Sequence, residues 1–283
     1  MEEFKRASAP ATQPIDKQAF DKVDHTTIRW LGGAGFMINS RGTILMIDPV
    51  ITTKAGDAQI CETGHKKLID YPISAENVPR LDAVLYSHSD GDHLGGKTAQ
   101  TLSKLNLRMI GPPPVFEKLI RLGINPDKAD SCRTGDELEI NDLRIEVTHA
   151  DHPWQLKYPG ERGKPFRSGD CCGFLIQTLD GKLYFPGDTR LMEEHLLIKD
   201  VDVLAVDSSY DHYHLGVAGA TALSNSLSKA LLIPYHYGTY DEPSNSAYCG
   251  DPANVFEKVA SSETRAKILG PGQPLSIKNG REC

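Results

Sequence analysis

An α/β chain, with two sheets packed face to face beneath outer layers of helices, is what three observations on the sequence predict. Strand-like and helical stretches arrive in the order strands, helices, strands, helices, so the chain divides into two halves of similar plan. Several apolar runs stop at clusters of His and Asp, which gathers those side chains at strand ends. No Gly/Ser-rich linker or charge block separates the halves, so residues 26–283 read as one domain behind an N-terminal arm of residues 1–25.

The arm opens with MEEFKRASAPATQPIDKQ, which is charged and rich in Pro and Ala, and it is expected to be mobile. Residues 26–31, 35–38 and 43–48 form short strands parted by Gly-Gly and Ser-Arg-Gly turns, an antiparallel meander. Residues 50–79 show no period. A connection of that length in a compact domain is usually functional or disordered, and it is expected to rim a binding cleft, with His65 at the surface. Residues 82–87 are a mostly apolar run suited to a buried strand. Residues 98–105 fit a helix, 107–110 a strand, and 115–122 a helix entered through three prolines and ended by Gly123. Residues 137–140 and 143–148 pair across Asn141-Asp142, and residues 172–179 and 182–185 across Asp180-Gly181. Residues 202–206 and 231–234 read as strands, 217–230 and 252–260 as helices, and 267–269 and 275–277 as closing strands.

The bulk composition narrows the function. With 39% hydrophobic and 24% charged residues the 283-residue chain is an ordinary globular protein. A formal charge of −7 argues against a protein that grips phosphate backbones, so nucleic acid is not expected as a partner. The six cysteines show no CxxC spacing and are too sparse for a secreted disulfide scaffold, which favours reduced thiols in the cytoplasm. No stretch has the pattern of a signal peptide, and none approaches the ~18 apolar residues of a membrane span.

The chemistry concentrates where residues 82–87 end. His88, Asp90, Asp92 and His93 crowd a single loop, and imidazoles and carboxylates packed this densely repel or compete unless a cation sits among them. A lone His-x-Asp would be a solvated turn; two of each in six residues point to a metal. Further on, His149-Ala150-Asp151-His152 follows a strand, Asp188 follows a hairpin through Pro186-Gly187, and His236 follows residues 231–234. Separations of 59, 36 and 48 residues run from His93 to His152, to Asp188 and to His236. Standing alone, Asp188 would read as a turn cap and His236 as a core histidine.

In that order and rough spacing the set resembles the His-x-His-x-Asp-His, His, Asp, His ligands of the metallo-β-lactamase-fold hydrolases, with Asp90 where the second His usually stands. The resemblance covers residues 26 to 283 and implies a four-layer αββα sandwich with its metals at one edge, between the sheets. It implies one metal at His88, Asp90 and His152, a second at Asp92, His93 and His236, and Asp188 bridging them. By the same resemblance Asp48, in Ile47-Asp48-Pro49, supports the metal loop from behind. His152 is preferred over His149, whose ring then belongs behind the ligands or in the core.

The implied chemistry is hydrolysis by a metal-activated water, with Asp92 and Asp188 as catalytic carboxylates and Asp92 orienting the water and carrying its proton. Asp90 adds negative charge, which moves preference from zinc toward manganese or iron; one metal or two are both compatible. The segments 232–239 and 214–217 look most like the branch holding ascorbate-6-phosphate lactonase-like and N-acylphosphatidylethanolamine phospholipase D-like proteins. The expected substrate is therefore a small ester or lactone. The alternatives are a small or lipid phosphodiester, or a binding protein with a degenerate metal site. Lys157, Arg162, Lys164 and Arg167 would attract an anionic substrate, or else form a solvated basic loop. His214 and His212 would line the pocket, His212 nearer the surface. The 48 residues between Asp188 and His236 leave no room for the extra domain of family nucleases, and lactam hydrolysis is disfavoured without a secretion signal. A homo-oligomer is compatible with all of this.

Overall fold

The computed structural model describes residues 7–153 and 167–283. In the first half the elements are β1 (Thr26–Gly32), β2 (Gly35–Ser40), β3 (Thr43–Ile47), β4 (Thr53–Lys54), β5 (Asp57–Cys61), β6 (Ala83–Leu85), α1 (Gly96–Leu102), β7 (Arg108–Gly111), α2 (Pro113–Arg121) and β8 (Ala129–Ser131). The second half holds β9 (Glu137–Ile140), β10 (Leu143–His149), β11 (Cys172–Gln177), β12 (Lys182–Phe185), α3 (Glu193–Leu197), β13 (Val203–Asp207), α4 (Gly216–Ser226) and β14 (Leu231–Tyr235). It closes with α5 (Pro252–Phe256), α6 (Ser262–Arg265), β15 (Pro274–Lys278) and β16 (Arg281–Glu282).

An eight-stranded sheet runs β16-β15-β1-β2-β3-β6-β7-β8, a six-stranded sheet runs β14-β13-β12-β11-β10-β9, and β4 and β5 pair separately. Both large sheets are mixed. β1, β2 and β3 are antiparallel, whereas β3, β6, β7 and β8 run parallel, and β12, β13 and β14 repeat that change in the second sheet.

Why the central strands are apolar at every position follows from the layering. Leu45 and Ile47 of β3 enter the core between the sheets, while Ile44 and Met46 face the opposite way into the cluster that contains Leu102, Val115 and Leu119 from α1 and α2. In β13 Val203 and Ala205 point between the sheets, and Leu204 and Val206 meet Ala220, Leu223, Val255 and Phe256 from α4 and α5. A strand buried on both faces loses the alternation that marks a half-exposed one. The result is helix, sheet, sheet, helix: the αββα sandwich expected.

Some expectations differ from the structure. Residues 7–25 are docked on the domain rather than free. The Gln13 amide donates to the Pro271 carbonyl at 2.8 Å and the Ile15 amide to Pro72 at 2.8 Å, while Ile15 and Phe20 bury their side chains. Two apolar anchors in a polar stretch suffice to hold it. Residues 50–79 carry the β4–β5 ribbon, and β8, α3 and α6 are short elements with too few residues for a visible period. Residues 267–269 are not a strand; only Ala266 bridges Leu232. The predicted helices at 98–105, 217–230 and 252–260 stop early, at Leu102, Ser226 and Phe256.

Candidate metal centre

Five strand ends deliver one cluster. β3 ends at Asp48, β6 opens into the loop carrying His88 to His93, β10 is followed three residues on by His152, β12 by Asp188, and β14 by His236. Asp188 comes off Gly187, whose φ of +67° suits glycine; a Cβ there would lie 2.7 Å from the Cys172 carbonyl and 2.9 Å from Ser87 Cβ. The Tyr235 hydroxyl donates to the Gly187 carbonyl at 2.8 Å, tying the ends of β12 and β14 together. Asp48 (φ 46°) and His236 (φ 59°) hold left-handed backbone that residues with a Cβ rarely adopt, a strain typical of functional sites.

Each imidazole is anchored at Nδ1. His93 Nδ1 lies 2.9 Å from Asp48 Oδ2, and since a carboxylate only accepts, Nδ1 carries the proton. Ser87 Oγ gives its own proton to Asp48 Oδ2 at 2.6 Å, so it accepts from His88 Nδ1 at 3.0 Å. His152 Nδ1 donates to the Tyr213 carbonyl at 2.9 Å, His236 Nδ1 to Ser209 Oγ at 3.1 Å, and His214 Nδ1 to Asp211 Oδ1 at 2.7 Å. Protonation at Nδ1 leaves Nε2 as the free donor atom.

Those Nε2 atoms converge on carboxylates. Asp188 Oδ2 lies 3.0 Å from His93, 2.9 Å from His214, 3.9 Å from His152 and 4.0 Å from His88. Asp90 Oδ2 is 3.3 Å from His88 Nε2 and 3.7 Å from His152 Nε2; Asp92 Oδ2 is 3.9 Å from His93 Nε2 and 4.0 Å from His236 Nε2. Tyr248 donates its hydroxyl to Asp92 Oδ2 at 3.0 Å. All of these side chains except that of Asp92 are almost fully buried.

The arrangement suits a divalent cation. Three groups offer donor atoms within 4.8 Å of one another: His88, His152 and Asp188; Asp92, His93 and His236; and Asp188, Asp207, His214 and His236. Among the described residues, His88 Nε2, His236 Nε2, Asp188 Oδ1 and Asp207 Oδ2 are buried without a hydrogen-bond partner, a costly condition that a bound ion would relieve. A lone pair on Nε2 facing a carboxylate oxygen at about 3 Å also repels it unless a proton or metal cation lies between. Electrostatics agree. Burial opposes charge on Asp188, yet the imidazoles of His236, His93 and His214 overcome it and hold the carboxyl well below the usual range. Burial lowers the basicity of His93 and His214 as well, and Asp188 outweighs it, raising both. His152, desolvated and beside His214, falls to about 4.

The seven side chains singled out from the sequence as metal-binding thus lie together. His149 does not join them. β10 runs on through it, paired with Cys172, and its ring is exposed while its carbonyl accepts from His195 Nε2 at 3.0 Å, so it is neither a core residue nor a support for the ligands. Lys157, Arg162 and Lys164 lie outside the described residues; Arg167 is exposed. His65 is half-buried rather than at the surface, its ring against Tyr240 and Tyr248 and its Nδ1 3.0 Å from Glu242 Oε1. His212 is exposed and His214 buried. Sequence reasoning missed Asp207, although it ends an apolar run just as the other site residues do, and Tyr248, which carries no local signal.

A sequence model described as β-lactamase superfamily domain matches residues 43–237. A UPF0173 metal-dependent hydrolase from Desulfitobacterium hafniense is 30% identical over 257 residues, covering 88% of this chain and 98% of that protein. Among solved structures, the metallo hydrolase Igni18 of the archaeon Ignicoccus hospitalis has a similar fold, with a TM-score of 0.66 at 18% identity over 89% of this chain and 98% of that one. An isothiocyanate hydrolase from Delia radicum gut bacteria gives 0.68 at 18% identity, over 89% and 99% of the two chains.

Proposed function

This chain belongs to the β-lactamase superfamily domain family, and on that premise we propose that it is a metal-dependent hydrolase of a small ester or lactone. The observation that carries the reading is the convergence of imidazole Nε2 atoms from separate strand ends on Asp188, Asp90 and Asp92. We assign one cation to His88, Asp90, His152 and Asp188 and a second to Asp92, His93, His236 and Asp188. Bound there, divalent metal would supply a water of lowered pKa and polarise the carbonyl oxygen of the ester or lactone. Three carboxylates in the set favour manganese or iron over zinc.

The remaining work falls to the chain's own groups. Tyr248 fixes the rotation of Asp92 by donating to Oδ2, and Asp92 is the partly exposed carboxylate of the cluster, placed to orient the attacking water and return its proton to the leaving oxygen. Burial raises the Tyr248 hydroxyl well above its ordinary pKa, and Asp92 raises it further, so it stays a donor. Beside Asp92 the rings of Tyr248, Tyr240 and His65 pack within 5.5 Å of each other, centroid to centroid.

The test combines elemental analysis of protein purified without added metal with a panel of lactones, aryl esters, phosphodiesters, isothiocyanates and β-lactams. One or two equivalents of metal, and ester or lactone turnover that a chelator abolishes and metal restores, are expected. Metal-replete protein that turns over phosphodiesters but no carbonyl substrate would replace the assignment with phosphodiester hydrolysis; an inability to bind metal would end it.

A further inference from the structure

Resting on that reading of the centre, we propose that His214 is itself a metal ligand, the fifth imidazole of the cluster. Its setting repeats that of the four assigned imidazoles. Asp211 holds His214 Nδ1 at 2.7 Å as Asp48 holds His93 at 2.9 Å, a carboxylate anchor of the kind that orients metal-bound histidine. Its Nε2 lies 2.9 Å from Asp188 Oδ2, closer than those of His88 and His152. The ring stands between the two groups, 4.8 Å from that of His152 and 5.5 Å from that of His236.

The same molecule shows what a buried structural histidine looks like. His195 is fully buried, and both ring nitrogens are spent on backbone: Nδ1 accepts from the Met192 amide at 3.2 Å and Nε2 donates to the His149 carbonyl at 3.0 Å. His214 instead turns Nε2 toward a carboxylate shared with the other imidazoles. The donor group it forms with Asp188, Asp207 and His236 also contains two buried carboxylate oxygens without a hydrogen-bond partner among the described residues, Asp188 Oδ1 and Asp207 Oδ2. Coordination at His214 Nε2 would seat a cation beside those two carboxylates.

Cobalt(II) alone is the probe. In the full chain loaded with cobalt, each ligated imidazole that keeps its Nδ1 proton gives one exchangeable, hyperfine-shifted resonance in the proton spectrum. Five are expected in the parent protein and four in His214→Gln, with cobalt affinity in equilibrium dialysis falling about tenfold or more. Asp211→Asn leaves the ring in place and replaces its carboxylate anchor with a neutral amide, so it should shift one of the five resonances, even if His214→Gln fails to fold. An unchanged count in His214→Gln, or no resonance that responds to Asp211→Asn, overturns the proposal while leaving the metal centre standing. If the parent chain takes up no cobalt, the centre and the proposal fall together.

Discussion

A single carboxylate, that of Asp48, sets the protonation of imidazoles in both proposed metal groups, and Asp48→Asn should expose this. Asp48 Oδ1 accepts from the Ser87 amide at 2.7 Å, and Oδ2 accepts from the Ser87 hydroxyl at 2.6 Å and from His93 Nδ1 at 2.9 Å. Through Ser87 the same oxygen governs His88 Nδ1. An asparagine can keep the bond from the Ser87 amide, but its NH₂ then faces two donors. Either His93 gives up its Nδ1 proton and carries it on Nε2, where it blocks coordination, or the contact breaks. Loss of an orienting partner costs about 10–100-fold in metal affinity, and both groups are touched. Losing two bonds to a buried charge, each worth about 1.5–3 kcal/mol, should also lower stability by about 3–6 kcal/mol in the absence of metal. Equilibrium dialysis against manganese or zinc reads the first effect and urea unfolding with chelator the second. Wild-type affinity in a folded Asp48→Asn protein would refute the reasoning, because Asp48 would then not control the imidazoles.

Three further outcomes are expected from the same contacts and geometry. Binding of metal to the folded chain at about a thousand times its dissociation constant contributes about 4 kcal/mol, so chelation should lower Tm by about 8–16 °C; scanning calorimetry with and without chelator checks it. Gly187→Ala places a Cβ against the Cys172 carbonyl and Ser87 at positive φ, and should cost about 2–4 kcal/mol in urea unfolding while weakening metal binding through Asp188. Asp180 accepts from Arg41 Nη2 at 2.7 Å, Arg41 Nε at 3.0 Å and Thr26 Oγ1 at 3.0 Å, joining the β2–β3 and β11–β12 turns. Burial opposes its charge, but the bonds from Arg41 and Thr26 win and depress its pKa. A depressed carboxyl stabilises the fold above its unfolded pKa of about 3.9, and that stabilisation fades as pH falls through the folded value. Asp180→Asn should therefore be less stable than the parent at pH 7, with the gap in urea midpoints narrowing below about pH 4; a gap that stays constant into acid would show that the charge is irrelevant.

By itself the sequence determined the layered α/β class and the place of the chemistry. Runs such as residues 44–47 and 203–206 are apolar on both faces because each face meets a different core, and that is visible in composition alone. His88, Asp90, Asp92, His93, His152, Asp188 and His236 were singled out from their strand-end positions together with the resemblance to the metallo-β-lactamase-fold ligand pattern, and strand order brings them to one edge of the sheets. Only the tertiary structure decided the rest. His149 and His152 are three residues apart, yet strand pairing with Cys172 keeps one on the sheet and the departing chain carries the other to Asp188. Tyr248 reaches Asp92 across 156 residues, and Ile15 and Phe20 anchor the N-terminal stretch only where Pro72, Pro271 and the sheet receive them. His214 meets Asp188 only because α4 packs on β13, the strand paired with β12 whose end carries Asp188. Local residue patterns encode which groups end a strand; which groups face one another depends on contacts between segments far apart in the chain, and no window of neighbouring residues carries that information.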